Sequence, residues 1–96
     1  MTALWIANVR VTDPDSYMKY ARLATGAIES FGGVFLARSG RHVQLEGRDR
    51  ARNVVARFPD VETAVACYNS PEYQAALEFA RGAAERDLVV VEEIEG

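Results

Sequence analysis

The chain reads as an α+β protein, a ferredoxin-like antiparallel sheet with helices on one face. Three observations predict it. β-rich runs open and close the chain, "LWIANVRV" and "LVVVEEI", with a third, "RNVVARF", between them. The stretches after Asp13-Pro14 and Ser70-Pro71 carry apolar residues at helical spacing, each opened by a capping side chain and a proline. No repeat, low-complexity tract or linker divides the 96 residues, so residues 1–96 form a single domain. Strand, helix, strands, helices, strand is the order of one sheet covered on one side.

The first strand, Leu4 to Val11, is rich in Trp, Ile and Val and is stopped by Thr12-Asp13-Pro14. Asp13 suits an N-cap, and Pro14 fits the first helical turn, where its missing N–H costs nothing. The helix then runs to about Phe31, with Tyr17, Tyr20, Ala21, Ala24, Ile28 and Phe31 on one stripe and Lys19, Arg22 and Glu29 off it. Gly32-Gly33 ends it, since a left-handed cap favours a residue without a Cβ.

Next, two short apolar runs, Val34 to Ala37 and Val43 to Leu45, flank the basic stretch Arg38-Ser39-Gly40-Arg41-His42. They read as a hairpin, with one long kinked strand as the alternative. A charged loop from Gly47 to Arg50 leads to a strand, Arg52 to Phe58, closed by Pro59. Asp60 caps a short helix whose inner side is Val61, Ala64, Val65 and Tyr68. Ser70-Pro71-Glu72 restarts a helix with Tyr73, Ala76, Leu77, Ala80 and Ala84 on its stripe. Asp87 to Ile94 is the last strand.

Strand parity shows what the two sheet faces hold. Trp5, Ala7 and Val9 oppose Leu4, Ile6, Asn8 and Arg10. Val54, Ala56 and Phe58 oppose Asn53, Val55 and Arg57, and Val89 and Val91 oppose Leu88, Val90 and Ile94. Both faces carry aliphatic residues, yet helices cover only one. The other is an interaction surface, which predicts a homodimer with two sheets packed face to face around a partly polar cavity.

Composition narrows the function classes. With 49% apolar and 26% charged residues the chain has a globular profile. A net charge of -3 argues against nucleic acid, which needs a concentrated basic face. No apolar run reaches the roughly 18 residues of a membrane span, and the N-terminus lacks the features of a secretion signal. One cysteine forms no internal disulfide, so a cytoplasmic location is expected. One histidine and one cysteine cannot furnish a metal site, and no glycine-rich phosphate loop or Ser-His-Asp set is present. Neither a metal nor a cofactor is expected.

The segments "VTDPDSYMKYA", "FGGVFLARSG", "LEG" at residues 45–47, "VVARFPDVETAVACYNSPEYQAA" and "LVVVEEIEG" together resemble, nearly end to end, the bacterial family known as domain of unknown function 1330. The resemblance implies the dimeric α/β-barrel fold. That wider superfamily includes small monooxygenases, lactone isomerases and haem-degrading enzymes, whereas the family itself has no settled reaction. Its recurring polar positions map here to Tyr17, Arg38, Glu46, Tyr73 and Arg81. Relatives usually carry an acid where this chain has Arg57, so a role requiring that carboxylate does not transfer.

Each candidate has a structural and a functional reading. Hairpin parity puts Arg38 on a face with Val34, Leu36, Val43 and Leu45, where a guanidinium needs a carboxylate or a ligand anion. Glu46 and Arg81 could join it in an ion network; alternatively, Glu46 acts as a base and the arginines hold a substrate acid or enolate. Tyr17, Tyr20, Tyr68 and Tyr73 read as core residues, one or two of whose phenols could bind or protonate an oxygen. Asn8, Asn53 and Arg57 would line the cavity. The site read from sequence is thus Tyr17 and Glu46 as proton-handling groups, with Arg38, Tyr73, Arg81, Asn8, Asn53 and Arg57 as ligand contacts. Arg41 and His42 read as solvated turn residues, and a histidine off any helix weighs against haem. Cys67 reads as inert packing. Two functions follow: a homodimer binding a small anionic or carbonyl-bearing molecule, with cofactor-independent proton transfer or oxygenation as its chemistry, or a non-catalytic sensing or structural module.

Overall fold

The computed structural model describes residues 1–94. Strand β1 (Ala3–Val11) leads into α1 (Pro14–Ser30), then β2 (Val34–Arg38), β3 (Arg52–Phe58), α2 (Val61–Tyr68), α3 (Pro71–Ala80) and β4 (Ala84–Glu92). The four strands form one antiparallel sheet in the order β2-β3-β1-β4. This is the ferredoxin-like α+β plan that the sequence predicts.

The three helix starts are built by the capping side chains read from sequence. Asp13 Oδ1 accepts from Ser16 N at 3.3 Å, Asp60 Oδ1 from Thr63 N at 2.7 Å, and Ser70 Oγ from Tyr73 N at 3.2 Å. Each satisfies a backbone donor that the first turn leaves without a partner. Gly32 closes α1 with a left-handed φ of 81°. Gly33 matters for space, because a Cβ there would stand 2.8 Å from the Ile28 carbonyl oxygen and 2.9 Å from the Phe58 ring.

The core lies between the helices and one sheet face. Register alternates large and small side chains across that face: Trp5 sits opposite Ala56, and Ala3 opposite Phe58. Trp5 makes an edge contact with Tyr73 at a centroid distance of 5.1 Å and a tilted one with Phe58 at 5.6 Å. The uncovered face carries Leu4, Ile6, Val55, Val34, Val89 and Val91, of which Val34, Val89 and Val91 are exposed. Its polar residues pair locally. Asn8 Nδ2 donates to Asn53 Oδ1 at 2.7 Å, and Arg57 Nε donates to Glu93 Oε1 at 2.7 Å.

Three local expectations are corrected. The run Val43 to Leu45 is not a strand and no hairpin forms. β2 pairs directly with β3, and Ser39, at a left-handed φ of 56°, donates its N–H to Asn53 O and turns the chain off the sheet. Val43 and Leu45 are left 71% and 87% exposed. Second, α3 stops at Ala80, before Gly82 at φ 73°, so Ala84 belongs to β4 and not to the helix stripe. Third, β4 therefore begins three residues before Asp87 and ends at Glu92, short of Ile94.

Candidate functional site

Register places three arginines beneath the helices. Arg52 on β3 and Arg86 on β4 flank Val9 of β1 from either side, and Val9 is fully buried. Arg38 pairs with Val54 one step along the same face. The parity expectation for Arg38 is thereby reversed. A β-bulge between Phe35 and Ala37 inserts one residue, and everything after it changes face. Arg38 thus shares the helix side with Phe35, its guanidinium 4.5 Å from that ring's centre, not the open side with Val34.

The helices bring phenols to meet these cations. From α1, Tyr17 lies 5.2 Å under the Arg52 guanidinium and Tyr20 lies 4.6 Å under that of Arg86. From α3, Tyr73 places its hydroxyl 2.6 Å from that of Tyr20. Arg86 Nη2 donates to both oxygens, at 2.7 Å to Tyr20 and 3.1 Å to Tyr73. The cleft between α1 and the sheet is lined by Tyr17, Tyr20, Phe35, Arg38, Arg52 and Arg86 over a floor of Trp5, Ala7 and Val54. It encloses about 420 Å³ including its mouth, of which about 40 Å³ is wide enough for the centre of a water molecule. It is a narrow slot.

Its electrostatics are one-sided. Among the described residues the arginine ion pairs are Arg10–Glu85, Arg50–Asp87, Arg57–Glu93 and Arg81–Glu78, and none involves Arg38, Arg52 or Arg86. The Nε atoms of Arg52 and Arg86 are buried without any hydrogen-bond partner. Buried donors of this kind carry a desolvation cost that an incoming acceptor relieves. The slot concentrates positive charge on a chain whose net charge is negative.

Burial raises the Tyr20 phenol far above its ordinary pKa, and the adjoining Tyr73 adds to the effect while Arg86 opposes it. Tyr73 is raised too, again by burial first. For Arg86, burial works against the charge, but its contacts with Tyr20 and Tyr73 outweigh that, and the net shift is upward. At neutral pH the slot therefore holds cations and neutral phenols. Among the described residues no carboxylate or histidine lines it, so they supply no ready proton acceptor.

The shifts predict an alkaline limit to stability. Burial, assisted by Glu72, also pushes the Cys67 thiol up to about 11. Groups with raised folded-state pKa values stabilise fully below their unfolded pKa, and lose that contribution as pH rises through the folded value. Urea midpoints should fall steadily from about pH 9 upward, where the unfolded thiol and phenols begin to ionise. Phenolate absorbance from two of the four tyrosines should appear only with unfolding; ionisation of all four in the folded protein would contradict this.

The candidates read from sequence separate into groups. Tyr17 and Arg38 line this slot, and Tyr73 lies fully buried behind it, bonded to the Tyr20 hydroxyl. Glu46 does not, being exposed on the loop after β2, and Arg81 caps α3 and pairs with Glu78 at 2.6 Å. The expected Arg38–Glu46–Arg81 network is therefore absent. Asn8, Asn53 and Arg57 lie on the open face, as parity predicts. His42 is on the exposed loop against Asp49 at 2.9 Å, and Cys67 is fully buried, its Sγ 3.7 Å from Ala27 O. Arg52 and Arg86 were not among the candidates. The signal existed for Arg52, which alternates with Val54, Ala56 and Phe58; Arg86 was hidden by starting β4 too late. The described residues contain no group of three or more potential metal ligands and no helix long and apolar enough to cross a membrane.

Sheet, helices and slot define a small ferredoxin-like α+β protein. The chain belongs to the family described as domain of unknown function (DUF1330), whose model matches residues 2–94. No curated protein matches it. Among solved structures, it is similar to the RPA0582 protein of unknown function from Rhodopseudomonas palustris, at 21% identity and TM-score 0.75 over 99% of this chain and 84% of that one. A dimeric ferredoxin-like protein of unknown function from Jannaschia sp. CCS1 is 11% identical with TM-score 0.75, over 97% and 100% of the two chains. SnoaB, a cofactor-independent oxygenase from Streptomyces nogalater, is 13% identical with TM-score 0.66, over 99% and 95%. At these identities the likeness is one of fold.

Proposed function

We propose that the protein is a homodimer that binds a small organic anion in the slot formed by Arg38, Arg52, Arg86, Tyr17 and Tyr20. The observation that carries this reading is the meeting of three guanidiniums with no carboxylate among the described residues, two of them with buried, unpartnered Nε donors. A bound carboxylate or enolate would accept from those donors, and the aromatic walls would cover its planar faces. Dimerisation is supported by the apolar open face with exposed Val34, Val89 and Val91, and similar solved structures include proteins described as dimeric.

The slot favours one kind of chemistry over another. Without a base it is poorly made for proton abstraction, and Glu46 is too exposed to serve. It suits a substrate that enters already ionised, whose negative charge the arginines stabilise through a reaction such as oxygenation. The rival reading, a purely structural ion network, needs carboxylate partners, and among the described residues the three arginines have none.

Thermal unfolding in the presence of benzoate, acetate, benzylamine and benzyl alcohol tests the proposal. A ligand at about 100 times its Kd stabilises by roughly 2.7 kcal/mol. The acids should raise Tm, benzoate more than acetate, while the amine and alcohol leave it unchanged. Equal effects from all four, or none from the acids, would refute anion recognition.

A further inference from the structure

A second cleft opens on the other side of the same wall. Trp5 and Arg86 line both it and the slot, and the rest of its surface is Val65 and Tyr68 of α2 with Leu88 and Val90 of β4. The two differ in kind. The slot, with about 40 Å³ for a water-sized centre, is narrow and ringed by cations, whereas the second cleft, with about 340 Å³, is larger and lined by aliphatic and aromatic side chains beside Arg86. Among the described residues, Arg86 is the one charged side chain in the lining of the second cleft. A site with a cation at one end and an apolar trough beyond it matches a ligand built the same way.

We infer that the ligand is an amphipathic carboxylic acid, its head held at Arg86 and its hydrocarbon tail laid across Trp5, Leu88 and Val90 beneath α2. This rests on the anion-binding reading and adds the substrate class to it. Val65 and Tyr68, 45% and 38% exposed, are large apolar side chains that a chain of several methylenes would cover. Covering them returns them from water without burying any unpaired polar group. The head reaches Arg86 from the second cleft, whose lining Arg86 joins, and the slot on the far side of the wall need not admit the tail.

Chain length separates this inference from the reading beneath it. Trp5 is the protein's one tryptophan and borders both clefts, so its fluorescence reports occupancy. Titration with butanoate, hexanoate and octanoate should tighten binding about two- to fourfold per added methylene. Val65→Gln, at a half-exposed helix position, should fold normally by circular dichroism and flatten the dependence on length. If affinity is the same for all three acids while each binds, the tail site is overturned and the anion site stands. A dependence on length that Val65→Gln leaves untouched overturns the tail's placement. If no acid of any length binds, both readings fall.

Discussion

Replacing Arg86 with methionine is expected to weaken organic-acid binding by roughly 30-fold or more while changing the stability of the fold little. The first half follows from removing a partly desolvated charge that faces the anion, a loss on the order of 2–5 kcal/mol. The second half follows from what Arg86 does without a ligand. It has no carboxylate partner among the described residues, and its Nε is buried and unmet. Methionine keeps most of the stem's volume and removes the unpaired charge. The Tyr20 and Tyr73 hydroxyls lose a donor but still bond each other at 2.6 Å. Loss of its bonds to the two phenols offsets the relief of its burial, and the balance is expected within about 1 kcal/mol of no change. Urea denaturation beside a binding titration reads both. A clear loss of stability with affinity unchanged would make Arg86 a structural residue and remove the site's main support.

Introducing aspartate at Val91 is expected to break the homodimer without unfolding the protomer. Val91 stands opposite Leu4 on the uncovered face, 47% exposed in the single chain. Its substitution therefore costs the protomer little. In a face-to-face pair the same position is buried, and two-fold symmetry introduces the charge twice. Sedimentation at about 10 μM should show the unmodified protein at twice 10.6 kDa and the variant at 10.6 kDa, with unchanged far-ultraviolet circular dichroism. A variant that stays dimeric would move the interface off this face. An unmodified protein that sediments as a folded monomer would remove the dimer altogether.

Much of the fold was legible because its signals are local. Asp13, Asp60 and Ser70 cap helices through their own side chains, and Gly32 closes α1 by its left-handed φ. What failed was register. One inserted residue between Phe35 and Ala37 moves Arg38 to the opposite face, and no residue type in "VFLAR" announces it. The "HVQLE" stretch has strand-like alternation but finds no partner strand, since β2 and β3 pair without it. Three residues at the start of β4 hid Arg86, and with it the row Arg52–Val9–Arg86. The site was half legible for the same reason. Tyr17, Tyr73 and Arg38 stood out as polar groups near apolar stripes. That they meet Arg52 and Arg86 and not Glu46 or Arg81 depends on pairing distances the chain does not spell out.

The most direct measurement is the carbon-13 carboxyl resonance of [1-¹³C]octanoate titrated with pH in the presence of the protein. Arginines around the head favour its charged form, so the bound carboxyl should give a displaced resonance that titrates below the free acid. Arg86→Met should abolish that signal. A carboxyl resonance that keeps the free acid's shift and titration in the presence of unmodified protein would contradict the account.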